Sequence, residues 1–157
     1  MTPTLDRTAI AARLPHAGRM VLLDRVEGWT PTSIHCSTSS HHDPDHPLRT
    51  TSGLLAPCAI EYAAQAMALH AVLCGPAGAA PAPGMLASVR EVRFAAARLD
   101  RVPGVLHVRA ERLGADAHAL QYRFIVEGEA GGTFAQGRAT IVLEPAAPRR
   151  PDAGTTS

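Results

Sequence analysis

Between Pro57 and Cys74 the chain carries a single charged residue, Glu61, in a stretch built, apart from Gln65 and His70, of alanine and largely apolar side chains. Pro57 is tolerable in a first helical turn, where its missing donor would have no partner anyway, and Gly75-Pro76 supplies the stop. The spacing predicts a helix of ~17 residues, or ~26 Å at 1.5 Å per residue. Ile60, Ala64, Met67, Ala68, Ala71 and Val72 make it apolar nearly all round, so it is expected to be buried on several sides. The rest of the chain must therefore wrap around one helix.

The remaining segments read mostly as strands. A short helical pattern spans Leu5 to Leu14, with Asp6 near its start and Pro15 at its end. Met20 to Trp29 and Ser33 to Thr38 predict two strands joined at Thr30-Pro31-Thr32, followed by a polar loop over 39–53. After a small-residue, proline-rich connector (77–84) come four strand candidates: Met85 to Ala95, Val105 to Leu113, Ala119 to Glu127 and Thr133 to Leu143. Alternation is clearest in the third of these, where Leu120, Tyr122, Phe124 and Val126 share a face. Gly114-Ala115-Asp116 and Gly131-Gly132 supply hairpin turns. Four consecutive meander strands covering one apolar helix predict an α+β fold, as one domain over 1–144 with a disordered tail over 145–157. A single sheet leaves apolar helix surface uncovered, which predicts a dimer or larger assembly.

Bulk properties narrow the function. The 157 residues carry a formal net charge of +1 and show no basic stripe with interleaved aromatics, which speaks against nucleic acid. Cys36, Cys58 and Cys74 lack metal or redox spacing and read as ordinary thiols. No signal-peptide pattern opens the chain, and no apolar run reaches the ~18–20 residues of a membrane helix, so the expectation is a cytoplasmic protein. His41, His42, Asp43, Asp45 and His46 place five potential metal ligands within six positions. Neighbouring loop side chains seldom converge on one ion, and no distant ligand pair accompanies them, so no metal is expected.

Glu61 and Gln65 are the polar pair of the long helix. Four residues apart, they project from the same side. An unpaired carboxylate on an apolar surface is costly, so the pair suggests acid/base chemistry; a capping or solvated glutamate is the plain alternative. Gln65 either orients Glu61 or is a buried amide satisfied by backbone.

Three stretches resemble the 3-hydroxyacyl-acyl-carrier-protein dehydratases of the hotdog fold. The segment from Leu14-Pro15-His16 through Leu22-Leu23-Asp24-Arg25-Val26 is similar to their entry and first strand. Glu61, Ala64 and Gln65 meet their Glu-x-x-Ala-Gln helix motif, and His46-Pro47 lies fifteen positions before Glu61. With Ser40-His41, Pro47-Leu48-Arg49 and Leu86-Ala87-Ser88-Val89-Arg90, the pattern looks closest to the branch associated with aryl-polyene pigment clusters. The resemblance covers roughly residues 13–144.

It implies a long central helix wrapped by an antiparallel sheet, and elimination of water from a 3-hydroxyacyl thioester in fatty-acid or aryl-polyene synthesis. The substrate would arrive on acyl carrier protein, with no metal or redox cofactor. Such a reaction needs a base, an acid and donors for the thioester oxygen. His46 or His41 is expected as the base, because His46 is followed by Pro47-Leu48-Arg49 rather than the usual Phe-Pro-Gly. Glu61 is expected as the acid, its carboxyl kept partly protonated by its apolar surroundings. The first amides of the helix, in the segment of Ala56, Pro57 and Cys58, are expected to hold the oxygen. Gln65 and Arg90 (with Arg93) are candidates for the substrate and its phosphopantetheine arm, and His16 for the tunnel mouth. The histidine loop of one subunit would face the helix of another, in a homodimer or a heterodimer with a second hotdog subunit. A hotdog thioesterase, or a non-catalytic acyl-binding partner subunit of such a heterodimer, are the alternatives.

Overall fold

The computed structural model describes residues 4–75 and 84–143. The expected tail over 145–157, and the connector before Gly84, lie outside the described residues. The two-residue strand β1 (Leu5–Asp6) leads into α1 (Arg7–Ala11), capped by the Asp6 carboxylate accepting from Ala9 N at 2.9 Å. Strands β2 (Arg25–Thr30) and β3 (Ser33–Thr38) form a hairpin, and α2 spans Cys58–Leu73. Strands β4 (Gly84–Phe94), β5 (Leu106–Ala115), β6 (Ala119–Glu127) and β7 (Thr133–Leu143) follow. All pair antiparallel in one seven-stranded sheet of order β1-β2-β3-β5-β6-β7-β4. Helix α2 packs on one face through contacts with β3, β5, β6 and β7, the α+β arrangement expected.

The meander is shorter than expected. Strands β5, β6 and β7 are consecutive neighbours, but β4 sits at the far edge against β7, and β5 pairs with β3. The chain between β4 and β5 crosses over by burying Leu99 and pairing Arg98 with Leu55 beside the start of α2. A one-turn hairpin from β4 to β5 could not have covered that end of the helix.

The first long strand also starts later than its sequence suggests. Val21, Leu22 and Leu23 are all buried, and three consecutive buried side chains cannot alternate across a sheet. The backbone there finds partners elsewhere. Leu22 N–H donates to Gln65 Oε1 (2.9 Å), its carbonyl accepts from the hydroxyls of Thr38 and Ser40 (2.7 Å each), and Gln65 Nε2 donates to Met20 O (2.6 Å).

The segment before α2 is fixed by Asp100. Its carboxylate accepts from Arg98 Nε (3.1 Å) and Nη2 (2.6 Å) and from Leu54 N (3.2 Å), with Arg49 at 3.3 Å. These donors, Arg98 foremost, hold the Asp100 carboxyl below the usual range. Gly53 turns beneath it at φ +97°, where a Cβ would come within 2.5 Å of the Arg98 guanidinium, so both backbone angle and space require glycine.

Candidate active site

Helix α2 divides its polar residues between two sides. Tyr62, Gln65 and His70 point into the core and are fully enclosed, whereas Glu61 lies on the half-exposed flank with Ile60, Ala64 and Ala68. Glu61 has no hydrogen-bond or ion-pair partner among the described residues. Gln65 does not orient it: both amide atoms are bound to the main chain of residues 20–22, as above. With its oxygen and its nitrogen both bound to the main chain, the Gln65 amide has nothing left to offer a substrate. One helical turn serves both sides, and only the carboxylate is left for a partner.

Strand β3 delivers the histidine loop, which opens with a single 3₁₀ turn at Ser40–His42. His46 is 4% exposed and has both ring nitrogens engaged. Its Nδ1 accepts Leu48 N–H (3.1 Å), so the ring proton resides on Nε2 and is donated to Tyr62 Oη (2.9 Å). Burial lowers its affinity for a second proton. A neutral imidazole with its lone pair already taken is a poor general base. His46, expected as a candidate base, has its lone pair occupied by the Leu48 amide in this chain and ties the loop to the helix.

His41 has the complementary arrangement. Its Nε2–H donates to Val102 O (2.9 Å), and the exposed His42 donates to the same carbonyl (2.8 Å) while stacking on His41 at 3.8 Å between ring centroids. His41 Nδ1 is enclosed and has no partner. Burial, only partly offset by the bond to Val102, pushes this imidazole down to about 4, so at neutral pH the lone pair is free of a proton. Buried acceptors are almost always matched, and an unmatched one costs roughly 1–3 kcal/mol. Of the two buried loop histidines, only His41 has a ring lone pair with no partner in the chain.

The start of α2 does not offer the amides expected of it. Ala56 N–H donates to Ala97 O (2.9 Å), Pro57 has no N–H, and Cys58 N–H donates to Leu55 O (3.0 Å). The helix is entered through a tight turn that closes on itself, and Ala59 and Ile60 are bound in the same way to Ala56 O and Pro57 O. Arg90 and Arg93 are exposed on the edge strand β4, on the sheet rather than in the loop. His16 is half-buried with its Nδ1 enclosed and unpartnered. Among the described residues no group of three or more His, Cys, Asp or Glu could hold a metal ion, and no helix is long and apolar enough to cross a membrane.

Sequence reasoning missed Tyr62 and Ser40. Ser40 Oγ lies 2.8 Å from Tyr62 Oη, which also accepts from His46. The available signal was the tyrosine itself, the one phenol in a mostly aliphatic helix.

The family model of the ApeP dehydratases matches residues 8–150. The chain belongs to the ApeP-like dehydratase family. The dehydratase heterocomplex ApeI:P from Xenorhabdus doucetiae contains a similar chain, 25% identical, covering 87% of this chain and 91% of that one with a TM-score of 0.73. AziG of S. sahachiroi (17% identity, 77% and 90% covered, TM-score 0.58) and the thioesterase HI1161 of Haemophilus influenzae (11%, 80% and 81%, TM-score 0.57) share the fold. No curated protein matches the chain. The chain is thus a hotdog-fold, dehydratase-like enzyme of the aryl-polyene branch.

Proposed function

We propose that this protein eliminates water from a 3-hydroxyacyl thioester carried on the phosphopantetheine of an acyl carrier protein. His41 Nδ1 takes the proton from the carbon next to the thioester carbonyl. Glu61 gives a proton to the departing hydroxyl, so that the products are water and the enoyl thioester. The carboxylate is supplied across a subunit seam to the imidazole of the opposite chain. The half-exposed stripe of Ile60, Ala64 and Ala68 around Glu61 is suited to such a seam, and the similar chain in Xenorhabdus belongs to a heterocomplex, so the partner is a second hotdog subunit.

The observation that carries the reading is the lone pair of His41, buried without a partner while His46 is fully bound. The test is to incubate the full chain with a 3-hydroxyacyl carrier substrate, alone and with a dehydratase subunit, and to follow the ultraviolet absorbance of the enoyl product. His41→Ala and Glu61→Gln should each lose roughly 10²–10⁴-fold in rate. His46→Ala should lose less than His41→Ala. Release of free carrier thiol in place of enoyl product would make the protein a thioesterase.

The engaged amides at Ala56 and Cys58 favour a second reading, in which the chain is a non-catalytic partner that binds acyl chains and supports an active subunit. In that case both substitutions leave the turnover of the assembly intact.

A further inference from the structure

The loop that carries His41 is tied down at both ends by one atom. Ser40 stands just before His41 and His46 closes the loop, and both bond to Tyr62 Oη, at 2.8 and 2.9 Å. Tyr62 is fully enclosed and directly follows Glu61 in α2, projecting about 100° away from it.

The direction of these bonds is fixed by proton counting. Leu48 N–H points at His46 Nδ1, so His46 Nε2–H is a donor and Tyr62 Oη must accept from it. Ser40 O–H donates to Leu22 O at 2.7 Å, so Tyr62 O–H donates to Ser40. The series runs one way, from His46 to Tyr62 to Ser40 to Leu22. Moving the His46 proton to Nδ1 would set two N–H groups against each other. Thr38 Oγ1 reinforces the far end, 3.0 Å from Ser40 Oγ and 3.1 Å from Asp24 Oδ2. Burial raises the Tyr62 phenol above its ordinary range, so the hydroxyl keeps the proton it donates.

We propose that Tyr62 is a positioning residue whose hydroxyl clamps both ends of the histidine loop onto α2 and so fixes the place from which His41 acts. This rests on the reading of His41 as the base. Nothing in the clamp touches substrate; it acts through the loop, and one hydroxyl suffices because it accepts at one loop end and donates at the other.

The test uses Tyr62→Phe in the full chain, assayed with a 3-hydroxyacyl pantetheine thioester and its hotdog partner, beside ¹⁵N spectra of the histidine rings in the same samples. The phenylalanine keeps the ring packed and removes only the clamp. Expected are a kcat lower by roughly 10–10²-fold, the scale of a misplaced catalytic group, a KM within about twofold, and a shifted His46 Nε2 signal as its N–H loses the acceptor while Leu48 still holds the tautomer. Ser40→Ala releases one loop end and should give a smaller fall in kcat with the His46 signature kept. Wild-type kcat in Tyr62→Phe, or unchanged His46 nitrogen signals, overturns the clamp. If His41→Ala turns over normally, the base assignment fails instead, while the ring signals still report whether Tyr62 holds the loop.

Discussion

Helix α2 has a buried histidine–tyrosine pair at each end, and the two are built differently. At its C-terminal end His70 Nδ1 accepts the Tyr122 hydroxyl at 2.8 Å, and His70 Nε2–H donates to Thr30 O at 2.8 Å. Arg112 Nη2 joins the group by donating to Tyr122 Oη at 3.1 Å, while its Nε is enclosed without a partner. Three of these residues sit on α2, β5 and β6, and Thr30 ends β2. At the N-terminal end His46 comes from a loop, and its pairing with Tyr62 leaves two neighbours, Glu61 and His41 Nδ1, without partners. The same two side chains therefore stabilise a core when regular elements supply both of them. When a loop supplies one, they aim that loop and leave chemistry beside it open.

Turnover should separate the ends most widely. His70→Ala, in a protein that stays folded, should keep kcat within about threefold, whereas His41→Ala loses roughly 10²–10⁴-fold. The cost of His70→Ala should fall on stability, about 3 kcal/mol, from the cavity and from the Tyr122 and Thr30 groups left unpaired. A urea titration beside the rate assay measures both. A folded His70→Ala variant without turnover would erase the distinction between the two ends.

Regular elements were legible in the sequence because their pattern is local. The strands over Ala119–Glu127 and Thr133–Leu143 and the helix over Cys58–Leu73 stand where alternation, glycine turns and the Gly75-Pro76 stop put them. The partner of β4 was not legible, since strand pairing at long range depends on how residues 95–105 cross the end of α2. At the site, Glu61 was found by its isolation among apolar neighbours. The state of each histidine was not, because it depends on the amide of Leu48, the carbonyl of Val102 and the hydroxyl of Tyr62. Only folding brings the last two to the loop.

Acid should read the same contrast at intermediate size. Burial lowers His41 to about 4 from an ordinary 6.5, and lowers His46 and His70 too. Below 6.5 the unfolded chain therefore binds protons that the folded chain refuses, and stability falls with pH. The sign follows: the contribution is complete above pH 6.5 and is lost as pH drops toward 4. His41 alone accounts for up to about 3 kcal/mol of it. Chemical denaturation at stepped pH should show this slope, and His41→Ala should flatten it. An equal slope in wild type and His41→Ala would mean that the ring is not held neutral by burial.

The smallest effect belongs to Tyr122→Phe, the counterpart of Tyr62→Phe. Removing this hydroxyl leaves His70 Nδ1 buried without a donor and takes one acceptor from the partly exposed Arg112. The ring still fills its place against the helix, so the loss is one buried hydrogen bond, about 1–2 kcal/mol. In a domain of this size that corresponds to a melting temperature lower by about 3–6 °C. The rate should not move, because no loop hangs on Tyr122 and His70 is fixed by its own helix and by Thr30. If Tyr122→Phe slows turnover as much as Tyr62→Phe does, what matters is the rigidity of α2 as a whole, and the clamp at its N-terminal end has no special part in it.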